Sequence, residues 1–455
     1  MTKKLVKIRS VKGYQIFDSR NNPTVACKMI SSEGKRAVFK VPSGASTGEL
    51  EAIELRDGDK TRYRGKGVLE AVGNVNKILA ATAKGVSLAT SQQEFDKLLI
   101  DKDGTLNKSK LGANAILAVS GAYAALQAET EGLELWQHIG GTDTSLPIQP
   151  SHFYLPVPQF NVLNAGRHAE TGFEVQETLI IPAGAKSFAQ AMEMGTDIWY
   201  SLKGLLKKMG RSTGRGDEGG FVNPFASLEE TAEAVLEAIE KAGYAPGRQV
   251  MLAFDPAFSE IFGKDLRQDH ANPEDKSYHF GGRRYSPEEM AAFWADAAKD
   301  YRFISLEDGM AQNDVEGWKL LTREMGRTTQ LVLDDYICTN PAIIRRAISE
   351  GIGNASLIKL NQIGTVTETI EAMEISKKDG RCNVVSHRSG ETESDFLGHF
   401  AMHRLVDQIK TGSSGGERNA KYNALLMIEQ DLGQKAVYRG LDAFPAQVRE
   451  HHGQK

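Results

Sequence analysis

Apolar residues along this chain fall into two successive patterns. Over roughly the first sixty positions, short β-rich runs alternate with turn signals. Residues 25–30 and 37–41 read as strands, separated by the polar turn Ser31-Ser32-Glu33-Gly34. From residue 68 to 128, apolar side chains return at spacings of three and four, the period of a helix. Within that region residues 115–128 are apolar along most of their length. They are too few to span a bilayer and read as a buried helix. Strands followed by helices predict a small α+β domain. The Pro-containing stretch 142–158 marks its boundary, giving an N-terminal domain over 1–148 and a larger one over 149–455.

Beyond that boundary the rhythm becomes strand, loop, helix, and short apolar runs end in a polar or charged residue. Met251-Leu252-Ala253-Phe254 precedes Asp255, Phe303-Ile304-Ser305-Leu306 precedes Glu307, and the run 330–333 precedes Asp334. Leu357-Ile358 precedes Lys359, Val384-Val385 precedes Ser386-His387, and Gln408-Ile409 precedes Lys410. After a first gap of 52 residues the spacing is 23–28, close to the roughly 30 residues of one βα unit in a barrel. Helix starts are marked as well. Ser286-Pro287-Glu288-Glu289 offers an N-cap, a proline at the first helical position and a capping-box glutamate; Ser227 with Glu230 repeats the pattern. The larger region is therefore expected to be a (β/α)₈ barrel.

Length and charge narrow the function. At 455 residues the chain exceeds what one core usually supports, in keeping with two domains. Lys+Arg of 55 against Asp+Glu of 59 leaves a net charge of -4, and no basic run is interleaved with aromatics. A nucleic-acid surface is not expected, nor is a membrane span. Cys27, Cys338 and Cys382 are odd in number and far apart, which argues against a disulfide framework or a zinc site. The first ten residues hold only Leu5-Val6 as an apolar stretch, so no signal peptide is read there and a cytoplasmic location is expected.

The candidate chemistry lies at the strand ends. In a barrel these converge on one face, bringing Asp255, Glu307, Asp334, Lys359, His387 and Lys410 together. Any one of them could be a salt bridge or a helix cap, but six such ends in succession fit that reading poorly. Three carboxylates at one point repel unless a cation sits among them, and all-oxygen ligation selects a hard ion such as Mg²⁺. A lysine beside metal and a second lysine has a destabilised ammonium, so its pKa is expected to fall and suit it to act as a base. Two loops add to the set. Ser43-Gly44-Ala45-Ser46-Thr47-Gly48 is either a hairpin turn or a lid able to approach phosphate or metal. Gly216-Asp217-Glu218-Gly219-Gly220 sets an acid between glycines, read either as an ordinary loop or as one that exposes its carboxyl.

These blocks resemble the enolase family. The resemblance runs through Asp18-Ser19-Arg20, Asn22-Pro23-Thr24, the loop from Ser43, Glu51-Ala52, and Glu54-Leu55-Arg56-Asp57-Gly58-Asp59-Lys60. It continues in Gly112-Ala113-Asn114-Ala115-Ile116, Gln176-Glu177, Lys359-Leu360-Asn361-Gln362-Ile363-Gly364, Ser386-His387-Arg388-Ser389-Gly390-Glu391-Thr392, and Ala420-Lys421-Tyr422-Asn423. It implies an α/β fold: a modified (β/α)₈ TIM-like barrel, opening with two strands and two helices, preceded by a smaller α+β capping domain. It also implies a glycolytic lyase interconverting 2-phosphoglycerate and phosphoenolpyruvate, with Mg²⁺ bound twice per active site. Asp255, Glu307 and Asp334 would hold the first ion, and Ser46 would join the second. Lys359 would take the C2 proton, a Lys-plus-Mg²⁺ arrangement general to that superfamily. Glu218 would assist departure of the C3 hydroxyl, supported by Glu177 and Gln176. His168, His387, Arg388, Ser389 and Lys410 would hold phosphate and carboxylate. A homodimer or higher homo-oligomer is implied too.

The sequence departs from the family pattern at Asn21, Ala165, Arg167, Phe258, Ile261 and residues 413–416. Asn21 replaces a glycine, and Asn is the residue that best tolerates left-handed dihedrals after Gly. The other departures leave open a diverged paralogue acting on a related phosphonate or carboxylated analogue.

Overall fold

The computed structural model describes residues 5–44, 48–140, 152–166, 174–265, 270–271 and 274–453. Three antiparallel strands open the chain: β1 (Ile8–Phe17), β2 (Pro23–Ser31) and β3 (Arg36–Lys40), paired in that order. β2 and β3 are the two strands expected from the pattern. β1 is an addition; most of its side chains are half-buried or exposed, so it carries little apolar signal. At the β1–β2 turn Asn21 adopts φ +58°, the left-handed conformation its identity suggested.

Helices then cover the sheet. α1 (Gln92–Asp103) starts in a reciprocal capping box between Ser91 and Glu94, and α2 (Ala113–Glu131) is buried almost end to end. α2 lies against β2 and β3 so closely that a Cβ at Gly121 would fall 2.4 Å from the Phe39 ring. Gly121→Ala is therefore expected to destabilise the protein by about 1–3 kcal/mol, although alanine is the better helix former. A thermal melt checks this, and an unchanged or raised midpoint would show that the interface has slack.

The remainder closes into a barrel. Its strands are β4 (Val157–Asn164), β5 (Glu177–Ile181), β6 (Met251–Asp255), β7 (Ser305–Glu307), β8 (Gln330–Leu333), β9 (Ala355–Ile358), β10 (Cys382–Ser386) and β11 (Gln408–Lys410). Each pairs with the next, and β11 returns to β4. The six strands foreseen from apolar runs with charged ends are β6–β11. β5 runs antiparallel to both neighbours; every other pairing is parallel. Every residue of the eight strands is buried, as expected of a sheet covered on both faces. Two helices, α3 (Phe188–Lys208) and α4 (Leu228–Lys241), follow β5, so the barrel opens with two strands and two helices. Thereafter α5 (Pro287–Tyr301), α6 (Val315–Met325) and α7 (Pro341–Glu350) follow β6, β7 and β8; a single turn, Leu360–Ile363, precedes α8 (Val366–Lys378) after β9, and a short helix, Phe396–Phe400, follows β10. After β11 comes α9 (Gly416–Leu432).

The Ser286–Glu289 capping box forms in full at α5. At α4, Ser227 accepts from Glu230 N, but the Glu230 carboxylate turns to Ala226 N. All three cysteines are buried free thiols. Among the described residues, no helix is long and apolar enough to cross a membrane. The proposed boundary at 148/149 lies outside the described residues.

Candidate active site

The C-terminal ends of the parallel strands form one face of the barrel, and the polar residues ending them meet there. Lys410, at the end of β11, projects its Nζ between Asp255 Oδ2 (2.8 Å), Glu307 Oε2 (2.9 Å) and Glu177 Oε2 (2.9 Å). Glu177 arrives by a different route. It is the first residue of the antiparallel β5 and pairs in register with Asp255, the last of β6. Lys359, just past β9, sets its Nζ 2.5 Å from Asp334 Oδ2, while Gln362 Nε2 donates to Asp334 Oδ1 at 2.8 Å.

A second wall comes from the loop after β10 and from the loop at 216–220. His387 Nε2 stands 3.1 Å from Glu218 Oε2, which also accepts from Asn161 Nδ2. The glycine after Glu218 is obligatory: Gly219 has φ +86°, and a Cβ there would meet Ser414 O at 2.0 Å. The Arg388 guanidinium grips Glu51 of the N-terminal domain with two hydrogen bonds, at 3.0 and 3.1 Å. Ser389 and Gln176 complete the lining. Thus Glu177, Gln176, Glu218, Asp255, Glu307, Asp334, Lys359, His387, Arg388, Ser389 and Lys410 all face one cavity. His168 and Ser46 lie outside the described residues.

Several contributors escaped the reading of the sequence. Glu51, Asp308 and Asp335 line the same cavity, and Asn161 and Arg418 stand behind it. Asp308 and Asp335 each follow a strand-end acid directly, so a doubled acid was the available signal. Asp308, Asp334 and Asp335 bring carboxylate oxygens within 4.8 Å of one another. Yet both oxygens of Asp308 already accept backbone N–H groups, of Asp334 and Asp335 at 3.0 Å. Asp308 therefore braces the loop that carries Asp334 and Asp335.

Charge dominates the site. Eight carboxyl groups line the cavity against three fixed cations, Lys359, Arg388 and Lys410. Burial, with Asp255 beside it, pushes Glu307 well above the usual carboxylate range. Burial and Asp335 do the same to Asp308; burial and Asp334 lift Asp335 to about 7. Asp334 goes the other way, because Lys359 outweighs burial. An excess of buried acids over cations, all presenting oxygen, fits a hard divalent ion.

Burial pushes the Lys359 pKa down, and Arg388 and Lys410 push the same way, but Asp334 outweighs them and the pKa rises. The lowered pKa read from the sequence is that of a lysine beside bound metal. Lys410, against three acids, is raised well above its ordinary value despite burial. Burial holds His387 down to about 4, so the ring is neutral near pH 7.

The chain matches the family model of the enolase C-terminal TIM barrel domain over residues 152–447. It matches that of the enolase N-terminal domain over residues 8–139. With both halves of the fold matched and the strand-end acids and lysines gathered as described, the chain belongs to the enolase family.

Proposed function

We propose that the protein is a hydro-lyase interconverting 2-phosphoglycerate and phosphoenolpyruvate plus water. The observation that carries this reading is the division of labour around one cavity. An ammonium anchored on Asp334 and a carboxyl set beside His387 come from different walls, with surplus acid between them.

Asp255, Glu307 and Asp334 are the residues to hold one Mg²⁺, and Ser46 to join a second with the substrate phosphate. When bound, the metal stabilises the negative charge that builds on the substrate carboxylate as the C2–H bond breaks. Lys359 accepts the C2 proton on Nζ. Once Asp334 serves as a metal ligand, its hold on the Lys359 ammonium weakens, and Arg388 and Lys410 then lower that pKa toward a base's range. Glu218 donates a proton to the departing C3 hydroxyl, and Glu177 and Gln176 flank it. Arg388, Ser389, Lys410, His387 and His168 hold the substrate's phosphate and carboxylate. Glu51 keeps the Arg388 fork oriented before substrate arrives. A cytoplasmic, homo-oligomeric enzyme of glycolysis is the setting this reading implies.

A second reading, a paralogue acting on a phosphonate or carboxylated analogue, has one observation in its favour. Residues 413–416, which depart from the family pattern, lie directly behind the Glu218 loop, and Ser414 Oγ donates to Gly219 O at 3.0 Å. Phe258 gives it no support; it is buried in an aromatic cluster with Tyr278, Phe280 and Trp294.

Incubation with 2-phosphoglycerate in deuterated water tests the first reading. Wild type should exchange the C2 proton and form phosphoenolpyruvate. Glu218→Gln should keep exchange while product formation falls by about 10²–10⁴-fold, because the carbanion can still form and return. Loss of both in Glu218→Gln would remove Glu218 from the acid role. Turnover of the phosphonate analogue alone would favour the second reading.

A further inference from the structure

Arg418 lies in the first turn of α9 and is fully buried. A buried guanidinium is tolerated only when its N–H groups are used, and here both Nη groups are used on the site, while Nε stands 3.4 Å from Glu417 Oε1. Nη1 donates to His387 Nδ1 at 2.6 Å and to Arg388 O at 2.7 Å. Nη2 donates to Ser389 O at 2.8 Å and to Asp217 O at 2.9 Å. These four acceptors belong to two loops, one carrying Glu218 and the other His387, Arg388 and Ser389.

The chemistry of the pair fixes a proton. A guanidinium offers donors and no acceptor, so Nδ1 of His387 can only accept. In the neutral ring the single proton is then on Nε2, the nitrogen 3.1 Å from Glu218 Oε2. Neither an ordinary core arginine nor a helix cap requires this arrangement; an arginine serving packing alone would bond carbonyls and leave the imidazole to choose its tautomer.

We propose that Arg418 is the positioning residue of the acid side of the site, locking His387 in the Nε2–H tautomer with that nitrogen beside Glu218. Through the carbonyls of Asp217, Arg388 and Ser389 it also keeps the acid loop in register with the anion-binding loop. The kinetic part of this inference rests on the reaction proposed above; the tautomer does not.

Nitrogen NMR of histidine-labelled protein, with His387 assigned by substitution, reads the tautomer without substrate. The expected result at neutral pH is one proton, on Nε2, with Nδ1 bare. A proton on Nδ1, or a doubly protonated ring, would overturn the proposal. Arg418→Lys keeps the charge but cannot span four acceptors. It should scramble the His387 tautomer and lower dehydration by about 10²-fold, the cost of a misplaced catalytic group. C2 exchange at saturating substrate should fall far less than dehydration, because Lys359 and Asp334 are untouched. Equal losses of exchange and dehydration in this variant would show a role in the fold alone and overturn the inference. Should the variant not fold, the wild-type tautomer decides. If wild type leaves 2-phosphoglycerate unchanged, the reaction reading fails by itself, and the tautomer still decides this one.

Discussion

Lys359→Ala is expected to abolish both turnover of 2-phosphoglycerate and exchange of its C2 proton with solvent. Among the residues lining the cavity, Lys359 is the ammonium held by one acid, whereas Lys410 is enclosed by three. It is therefore the lysine that can give up its proton once its partner is engaged elsewhere. A positioned base contributes about 10²–10⁴-fold, which sets the size of the loss. The substitution also leaves Asp334 without its cation, with only Gln362 among the described residues donating to it, which predicts a lowered melting temperature in chelator and recovery in Mg²⁺. Exchange at the wild-type rate in this variant would assign the proton transfer to another group.

Removal of metal should have an effect as large. With eight carboxyl groups facing three cations, the cavity is built to be neutralised, and chelation should bring activity to background and Mg²⁺ should restore it. Binding to the folded state alone also stabilises it, by about 2.7 kcal/mol at a hundredfold excess over Kd. Mg²⁺ should therefore raise the melting temperature by several degrees. Asp334→Asn should blunt that shift and raise the Mg²⁺ needed for activity, with the fold retained. Full activity in excess chelator, or a melting temperature indifferent to Mg²⁺, would contradict the assignment of Asp255, Glu307 and Asp334 as ligands.

The barrel was legible where local pattern and global position coincide. β6 to β11 each end an apolar run in a charged or polar residue, and that residue lies on the functional face because the strands are parallel. β5 defeats the same rule. Its acid, Glu177, precedes the apolar run 179–181, and nothing local says that the strand runs backward and so delivers its first residue to the site. Only the family resemblance pointed to it. Arg418 was invisible for another reason: an arginine in the first turn of a helix reads as solvated surface, and its partners lie about 30 and 200 residues away in sequence. Asp308 and Asp335 were overlooked as the second members of acidic pairs. The strand-end list supplied the neighbours of Lys359 but not the geometry that puts Asp334 first among them.

The central claim is that this site makes phosphoenolpyruvate. Its most direct test is the absorbance of phosphoenolpyruvate formed from 2-phosphoglycerate by the purified protein at saturating Mg²⁺. Turnover of about 1–10³ per second is expected, in the ordinary range for enzymes, lost on chelation and regained with Mg²⁺. A folded protein that binds Mg²⁺ yet forms no phosphoenolpyruvate and exchanges no C2 proton would contradict it.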